Sequence, residues 1–459
     1  MFILPISAVR TLINKTALRL NPALLGQSGN HQENDTDTVH LSLRQKVLHL
    51  QPIAHYQQHT LHYVLKGLGY LPAPLLENMV GYLKGPTSKQ YLHANAHLRL
   101  IIAVNSKLKT PLQLVQLGGL RKRFAADAVA MQAPKVWQQS IQKSNPLRLI
   151  TKKTAATVSW QDRSVANADG GDMTIRCYQS SFGTKKRHNQ NRDEIAMLFF
   201  HGGGFCIGDV DTHHEFCHAV CEQTGWAVVS VDYRLAPEYP APTALRDCIA
   251  AYAWLAESSH ALGASSSRIV LSGDSAGGCL AALVAQQIVA PSETLWSEFD
   301  TKGKKTLKML QTLPHPVAQM PLYPVTDVEI NYPSWELYGQ GLLLDHDDIV
   351  VFDTAYLQHS SLSRQHVFIS PMLGDNKHLC PTYIVAAELD ILRDEAFAYI
   401  NQLRDHGITV QTHTVLGAPH GFIHFMSVHQ GLEEETRYII DDFASFVREV
   451  LNAKKVLAA

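Results

Sequence analysis

A serine set between glycines, Gly273-Asp274-Ser275-Ala276-Gly277, constrains the fold of this 459-residue chain more than any other feature. Arg268 to Ser272 just upstream reads as a short buried strand and Gly278 to Ala285 just downstream as a buried helix, so Ser275 stands on a strand-to-helix turn. So sharp a turn needs small residues two positions either side of the serine, and Gly273 and Gly277 fill both places. The hydroxyl then projects from the top of a sheet, the stance of a nucleophile.

A second signal lies upstream, where the apolar run Ala196 to Phe200 stops at His201-Gly202-Gly203-Gly204-Phe205. Residues without side chains leave backbone N–H groups uncovered, and such a loop after a strand can receive the negative charge that develops on a carbonyl oxygen. A phosphate cradle is the competing reading. Neither G-x-x-x-x-G-K-[ST] nor G-x-G-x-x-G occurs around the loop, which disfavours it. Strand-like runs at Thr174 to Tyr178, Ala227 to Val231 and Val317 to Leu322 alternate with helical stretches, so the core is an α/β fold with a mostly parallel sheet flanked by helices.

A serine hydroxyl is a weak nucleophile at neutral pH and needs a histidine to take its proton and an acid to fix that imidazole. On this fold the two follow the serine in the order acid, histidine. Thr382 to Ala387 is a strand-like run ending at Glu388-Leu389-Asp390, and Ile408 to Val415 is another, ending before Gly417-Ala418-Pro419-His420. Loops at strand ends are where such a sheet displays reactive groups, which places Asp390 and His420 as candidates. Glu388 and Asp394 are rival acids, Asp394 being placed in the first turn of the next helix, where a carboxylate complements the dipole. His413, within the strand, and His424, beyond the loop, are rival bases.

These motifs together resemble the hormone-sensitive-lipase-like serine carboxylesterases of the α/β-hydrolase superfamily. The resemblance also includes Asp232-Tyr233-Arg234-Leu235-Ala236-Pro237-Glu238, Tyr323-Pro324-Val325-Thr326-Asp327, Glu388 to Glu395 and His420-Gly421-Phe422, and runs over about residues 120 to 450. It implies an α/β-hydrolase fold with a helical cap, and it marks Ser275, Asp390 and His420 as the catalytic triad. Together with the geometry of the elbow, it assigns the oxyanion hole to the N–H groups of Gly203, Gly204 and Ala276. The expected reaction is hydrolysis of a carboxylic ester of small to medium acyl chain through an acyl-enzyme, with no cofactor and no metal. A lipase on longer acylglycerols, and a hydrolase of amides, thioesters or carbamates, would use the same residues. A non-catalytic binding protein on this scaffold, like the plant hormone receptors that resemble the family, would lack the histidine, which is present here. Phe205, Cys206, Tyr233 and the segment 328–370 are candidate walls of the substrate pocket.

Composition is compatible with this reading. Lys plus Arg total 40 against 41 for Asp plus Glu, with no basic patch, so nucleic acid is not an expected partner. Seven scattered cysteines in mostly apolar surroundings read as reduced, buried thiols and suggest a cytoplasmic setting. The first ten residues are apolar before they are charged, the reverse of a secretory signal, and no run of eighteen apolar residues occurs. Residues 1–20 can form an amphipathic helix, expected to pack on its own domain rather than dock peripherally on a membrane.

Domain organisation follows as an N-terminal helical extension over 1–115, cap helices over 116–155, and a catalytic domain over 156–459 with a second cap segment at 328–370. Residues 27–38 read as a polar linker. The stretches Thr184 to Glu194 and Pro291 to Pro316 read as solvated loops.

One decoy needs weighing, since His214-Glu215-Phe216-Cys217-His218 spells H-E-x-x-H on a predicted helix and could hold zinc. With 24 histidines in the chain a chance match is unremarkable, and the longer H-E-x-x-H-x-x-G-x-x-H pattern fails at Cys221 and Thr224. Thr212 and Glu215 are instead expected to form a capping box at the helix start.

Overall fold

A computed structural model of the chain describes residues 59–87, 89, 91–138, 158–181, 194–299 and 303–458. The sequence-based expectations for residues 1–20, for the linker at 27–38, for most of the charged loop at 184–194 and for the cap beyond residue 138 lie outside them.

The described residues open with helices α1 (Thr60–Leu68), α2 (Ala73–Tyr82), α3 (Ala96–Leu108) and α4 (Leu117–Met131). An antiparallel pair follows, β1 (Val158–Ala166) and β2 (Asp172–Ser180). The alternating core then runs β3 (Ala196–Phe200), α5 (His214–Thr224), β4 (Ala227–Val231), α6 (Thr243–Ser258), β5 (Ile269–Asp274) and α7 (Ala276–Val289). It continues through α8 (Glu293–Phe299), α9 (Gly303–Thr312), β6 (Ala318–Leu322), α10 (Pro333–Tyr338) and α11 (His346–Leu357). The last elements are β7 (Thr382–Leu389), α12 (Arg393–Asp405), β8 (Val410–Pro419) and α13 (Gln430–Ala458).

Eight strands form one sheet in the order β1-β2-β4-β3-β5-β6-β7-β8. β1 and β2 join antiparallel at one edge, and every pairing from β4 onward is parallel. Every residue of β3, β4, β5 and β6 is buried, because helices cover both faces of a parallel sheet. Alternation along β3 divides its side chains between two cores. Ala196, Leu198 and Phe200 join α6 and α7 on one face, while Met197 and Phe199 join α5 and α13 on the other. Helices α1 to α3 pack into this second core, through Leu61, Leu65, Leu76 and Ile101 among others. No helix among the described residues is long and apolar enough to cross a membrane. All seven cysteines are free and buried.

Two expectations change. The stretch Pro291 to Pro316 is not simply a solvated loop, since it carries α8 and α9, and Trp296 and Leu310 are each 1 % exposed in the core under them. Its lysine-rich composition hid a single buried stripe, which suffices to dock a short helix. Strand β1 had no counterpart in the sequence reading, because it is an edge strand buried only at Val158 and Val165.

Candidate active site

Ser275, the loop 202–204, Asp390 and His420 follow β5, β3, β7 and β8 respectively, so a single sheet edge, at the carboxyl ends of parallel strands, presents all of them. Ser275 adopts φ 55° and ψ −120°, a strained conformation for a side-chain-bearing residue. Packing enforces the strain. A Cβ on Gly273 would meet the Gly277 carbonyl oxygen at 2.3 Å, and one on Gly277 would meet that of Phe200 at 2.0 Å. The backbone of the elbow is thereby pressed against the end of β3, which carries the glycine loop.

His420 Nε2 lies 2.8 Å from Ser275 Oγ, and His420 Nδ1 lies 2.8 Å from Asp390 Oδ2. Asp390 is 1 % exposed and its other oxygen accepts from the Leu392 N–H at 2.9 Å. A buried acceptor on Nδ1 favours the tautomer whose Nε2 lone pair faces the serine. The N–H groups of Gly203 and Gly204 make no backbone hydrogen bond among the described residues, and Ala276, as the first residue of α7, has no partner within its helix.

The rival residues have other work. Asp394 accepts from the Ser334 N–H at 2.9 Å, and Glu388 turns toward the Gly417 N–H and His93. His413 pairs with Glu435 at 2.9 Å, and His424 is half-buried at the cavity wall near Asp274, its pKa lowered to about 3 by desolvation.

Asp274, beside the serine, braces the site from beneath. Its Oδ1 accepts from the Gly202 N–H at 2.7 Å and lies 3.0 Å from His213 Nε2. Burial opposes its ionisation, but the His213 and His424 imidazoles and the Gly202 N–H together outweigh that and hold the carboxyl down to about 2. One carboxylate thus ties the glycine loop to the elbow. His213, Asp274 and His424 bring donor atoms within 4.8 Å of one another, close enough to hold a metal ion were Asp274 released from Gly202.

The first of the H-E-x-x-H histidines is differently employed. His214 accepts from the Tyr178 hydroxyl at 3.0 Å through Nδ1 and donates to the Val136 carbonyl at 3.0 Å through Nε2, which leaves no lone pair for zinc. The expected capping box is absent. Glu215 accepts instead from the Ala133 N–H at 3.0 Å and the Ser427 hydroxyl at 2.9 Å, because it is drawn into the interface between α4 and the segment after His420. Thr212 accepts from the Asp209 N–H in a local turn.

Burial raises the Glu215 carboxyl from 4.5 to about 7, so between those values the folded chain holds a proton that the unfolded chain has released. The stability this proton confers is complete below pH 4.5 and is lost as pH rises through about 7. Glu215→Gln removes the titration, so its stability relative to wild type is expected to rise by about 3 kcal/mol between acid and mildly alkaline buffer, read from urea unfolding. A pH-independent difference between the two proteins would refute this.

Above the serine lies a pocket partly open to solvent, about 940 Å³ of space when its open mouth is included. Phe124 of α4, Phe205, Trp335 of α10, Leu344 and Phe352 of α11 supply much of its apolar lining, with Gly203, Gly204 and His420 at its base. Among the expected wall residues Phe205 and the segment 328–370 contribute, whereas Cys206 and Tyr233 do not. Both are displaced by better uses of their polar atoms. Tyr233 stacks on His201 and donates its hydroxyl to the His201 carbonyl at 2.6 Å, and Cys206 is packed beneath Phe352. Asp353 and Glu395 also border the cavity. Burial raises Glu395 well above its ordinary value, so it carries little charge there, whereas Asp353, raised by burial to about 6, is paired with Arg364 at 3.1 Å. Phe124, Trp335 and Phe352 carried no local signal beyond lying in expected cap segments.

The family profile described as alpha/beta hydrolase fold matches residues 197–424. The chain is 62 % identical over 406 residues to "Lipase 2" of Moraxella sp. (strain TA144), an alignment covering 87 % of this chain and 92 % of that one. It is 30 % identical to "Ethyl acetate hydrolase" of Pseudomonas putida, over 74 % of this chain and 98 % of the relative. Among solved structures, the hyperthermophilic esterase from Pyrobaculum calidifontis superposes with a TM-score of 0.60 at 24 % identity, covering 77 % of this chain and 98 % of that one.

Proposed function

Because the chain belongs to the hormone-sensitive-lipase-like carboxylesterases of the α/β-hydrolase family and hydrolyses esters as they do, we propose that Ser275, His420 and Asp390 are its catalytic triad. The unbroken line of hydrogen bonds from Ser275 Oγ through both His420 nitrogens to Asp390 carries this reading. His420 Nε2 takes the serine proton as Oγ bonds to the acyl carbon, and Asp390 stabilises the imidazolium. The carbonyl oxygen becomes an oxyanion held by the N–H groups of Gly203, Gly204 and Ala276. Each such donor is worth on the order of 100- to 1000-fold in rate. Collapse of this intermediate breaks the bond to the alkoxy oxygen, which leaves with the proton from His420. Water then attacks the acyl-enzyme by the same path, its proton passing through His420 to Ser275 and the acid departing.

The substrate is an uncharged ester of small to medium acyl chain, since the cavity is apolar and bounded by α10 and α11. The name of the Moraxella relative favours a second reading, a lipase on longer acylglycerols. A series of 4-nitrophenyl esters from acetate to palmitate, together with emulsified triacylglycerol, tests the choice. We expect kcat/KM to peak at short or medium chains in solution, and a rate that climbs only at the oil surface would establish the lipase instead.

A further inference from the structure

Glu388, passed over as the triad acid, is placed where it governs how the acid and the histidine meet. β7 and β8 pair regularly from Thr382↔Val410 to Ala387↔Val415, and then the register jumps to Leu389↔Pro419. Two residues of β7 are thus opposed by four of β8, a bulge that re-aims the strand just before His420. An N–H group inside such a bulge loses its strand partner. The Glu388 carboxylate takes that place at Gly417, accepting from its N–H at 2.5 Å. The same carboxylate also receives His93 Nδ1, at 2.8 Å on one oxygen and 2.9 Å on the other.

His93 belongs to the segment between α2 and α3, outside the α/β core. This segment lies so close to the bulge that a Cβ on Gly417, at φ +71°, would meet the His93 carbonyl at 2.5 Å. Its anchors extend further along the histidine-bearing chain. Asn95 Oδ1 caps α3 by accepting from the Leu98 N–H at 2.9 Å and lies 3.0 Å from His429 Nε2, while the His97 ring stacks on His429 at 5.2 Å. The geometry points to Glu388 as a positioning residue through which the N-terminal helices hold the Asp390 and His420 loops in register. The inference rests on the triad reading above. It assigns the extension a purpose, bracing the catalytic loops, and makes the His93–Glu388–Gly417 contact its point of action.

The test uses the full chain and two readouts, steady-state turnover of a soluble ester and the rate at which a fluorophosphonate probe labels Ser275. Small displacements of reacting groups cost much in rate, so Glu388→Ala is expected to lower kcat and the labelling rate together by on the order of 10- to 100-fold while KM moves little. Glu388→Gln keeps an oxygen for the Gly417 N–H and should recover most of the loss. His93→Ala, at a half-exposed side chain, should lose several-fold by both readouts and serves if Glu388→Ala does not fold. Wild-type labelling in Glu388→Ala, or in His93→Ala if that is the variant in hand, would overturn the inference. So would a Glu388→Gln protein as impaired as the alanine variant. Wild-type protein left unlabelled by the probe would instead overturn the triad reading, and this inference with it.

Discussion

Ser275→Ala is expected to lower kcat on a soluble ester by about a million-fold, with the circular dichroism spectrum and thermal midpoint close to wild type. The prediction separates chemistry from architecture. Ser275 is 7 % exposed, and its Oγ bonds to His420 rather than to any group that holds the elbow closed. The turn is set by the backbone contacts of Gly273 and Gly277 and by the Ser275 N–H donating to the Leu322 carbonyl at 2.9 Å, all of which alanine keeps. The variant should also resist fluorophosphonate labelling, since no other hydroxyl lies on the elbow. Activity within about a hundredfold of wild type would mean that a different atom attacks the acyl carbon.

Asp390→Asn should cost about 10,000-fold in kcat with KM little changed. The substitution is nearly isosteric and can retain the bond from the Leu392 N–H, so the loop keeps its shape. What changes is the proton on the imidazole. An amide NH₂ directed at His420 Nδ1, where Asp390 Oδ2 now sits at 2.8 Å, donates instead of accepting and favours the tautomer with its hydrogen on Nε2. That nitrogen then faces Ser275 Oγ without a lone pair to receive its proton. Asp394→Asn is the matched comparison, because Asp394 serves the Ser334 N–H and Arg393 and should lose little turnover. An Asp390→Asn enzyme within tenfold of wild type, or an Asp394→Asn enzyme disabled as severely, would remove Asp390 from its assigned role.

The two predictions draw on positions whose legibility in the sequence differed in kind. The elbow was legible because its requirement is local: small residues at fixed offsets, a strand before and a helix after, all within about twenty consecutive residues. Asp390 and His420 were legible only with chain order and strand ends added, and rivals two to seven residues away could not be separated by spacing alone. The distances separate them, since Glu388 and Asp394 are each committed to a backbone N–H elsewhere. Pocket walls were barely legible. Cys206, close to the glycine loop in sequence, and Tyr233, just after β4, point into the core, whereas Phe352, some 150 residues from the loop, packs at its edge. The misread cap at Thr212 has the same origin. A side chain with a local hydrogen bond on offer was claimed by distant partners, Ala133 and Ser427, which no window around Glu215 contains.

The sequence by itself determined that a strained serine turn and an uncovered glycine loop would stand at strand ends of a mostly parallel sheet. Backbone sterics and side-chain periodicity act over a few residues and are written in order along the chain. Tertiary structure alone decided which acid faces the histidine, what walls the cavity, and that the N-terminal helices reach Glu388 at the base of the catalytic loops. Those outcomes depend on contacts between residues tens to hundreds of positions apart, whose packing and hydrogen-bond competition are resolved only when the whole core closes.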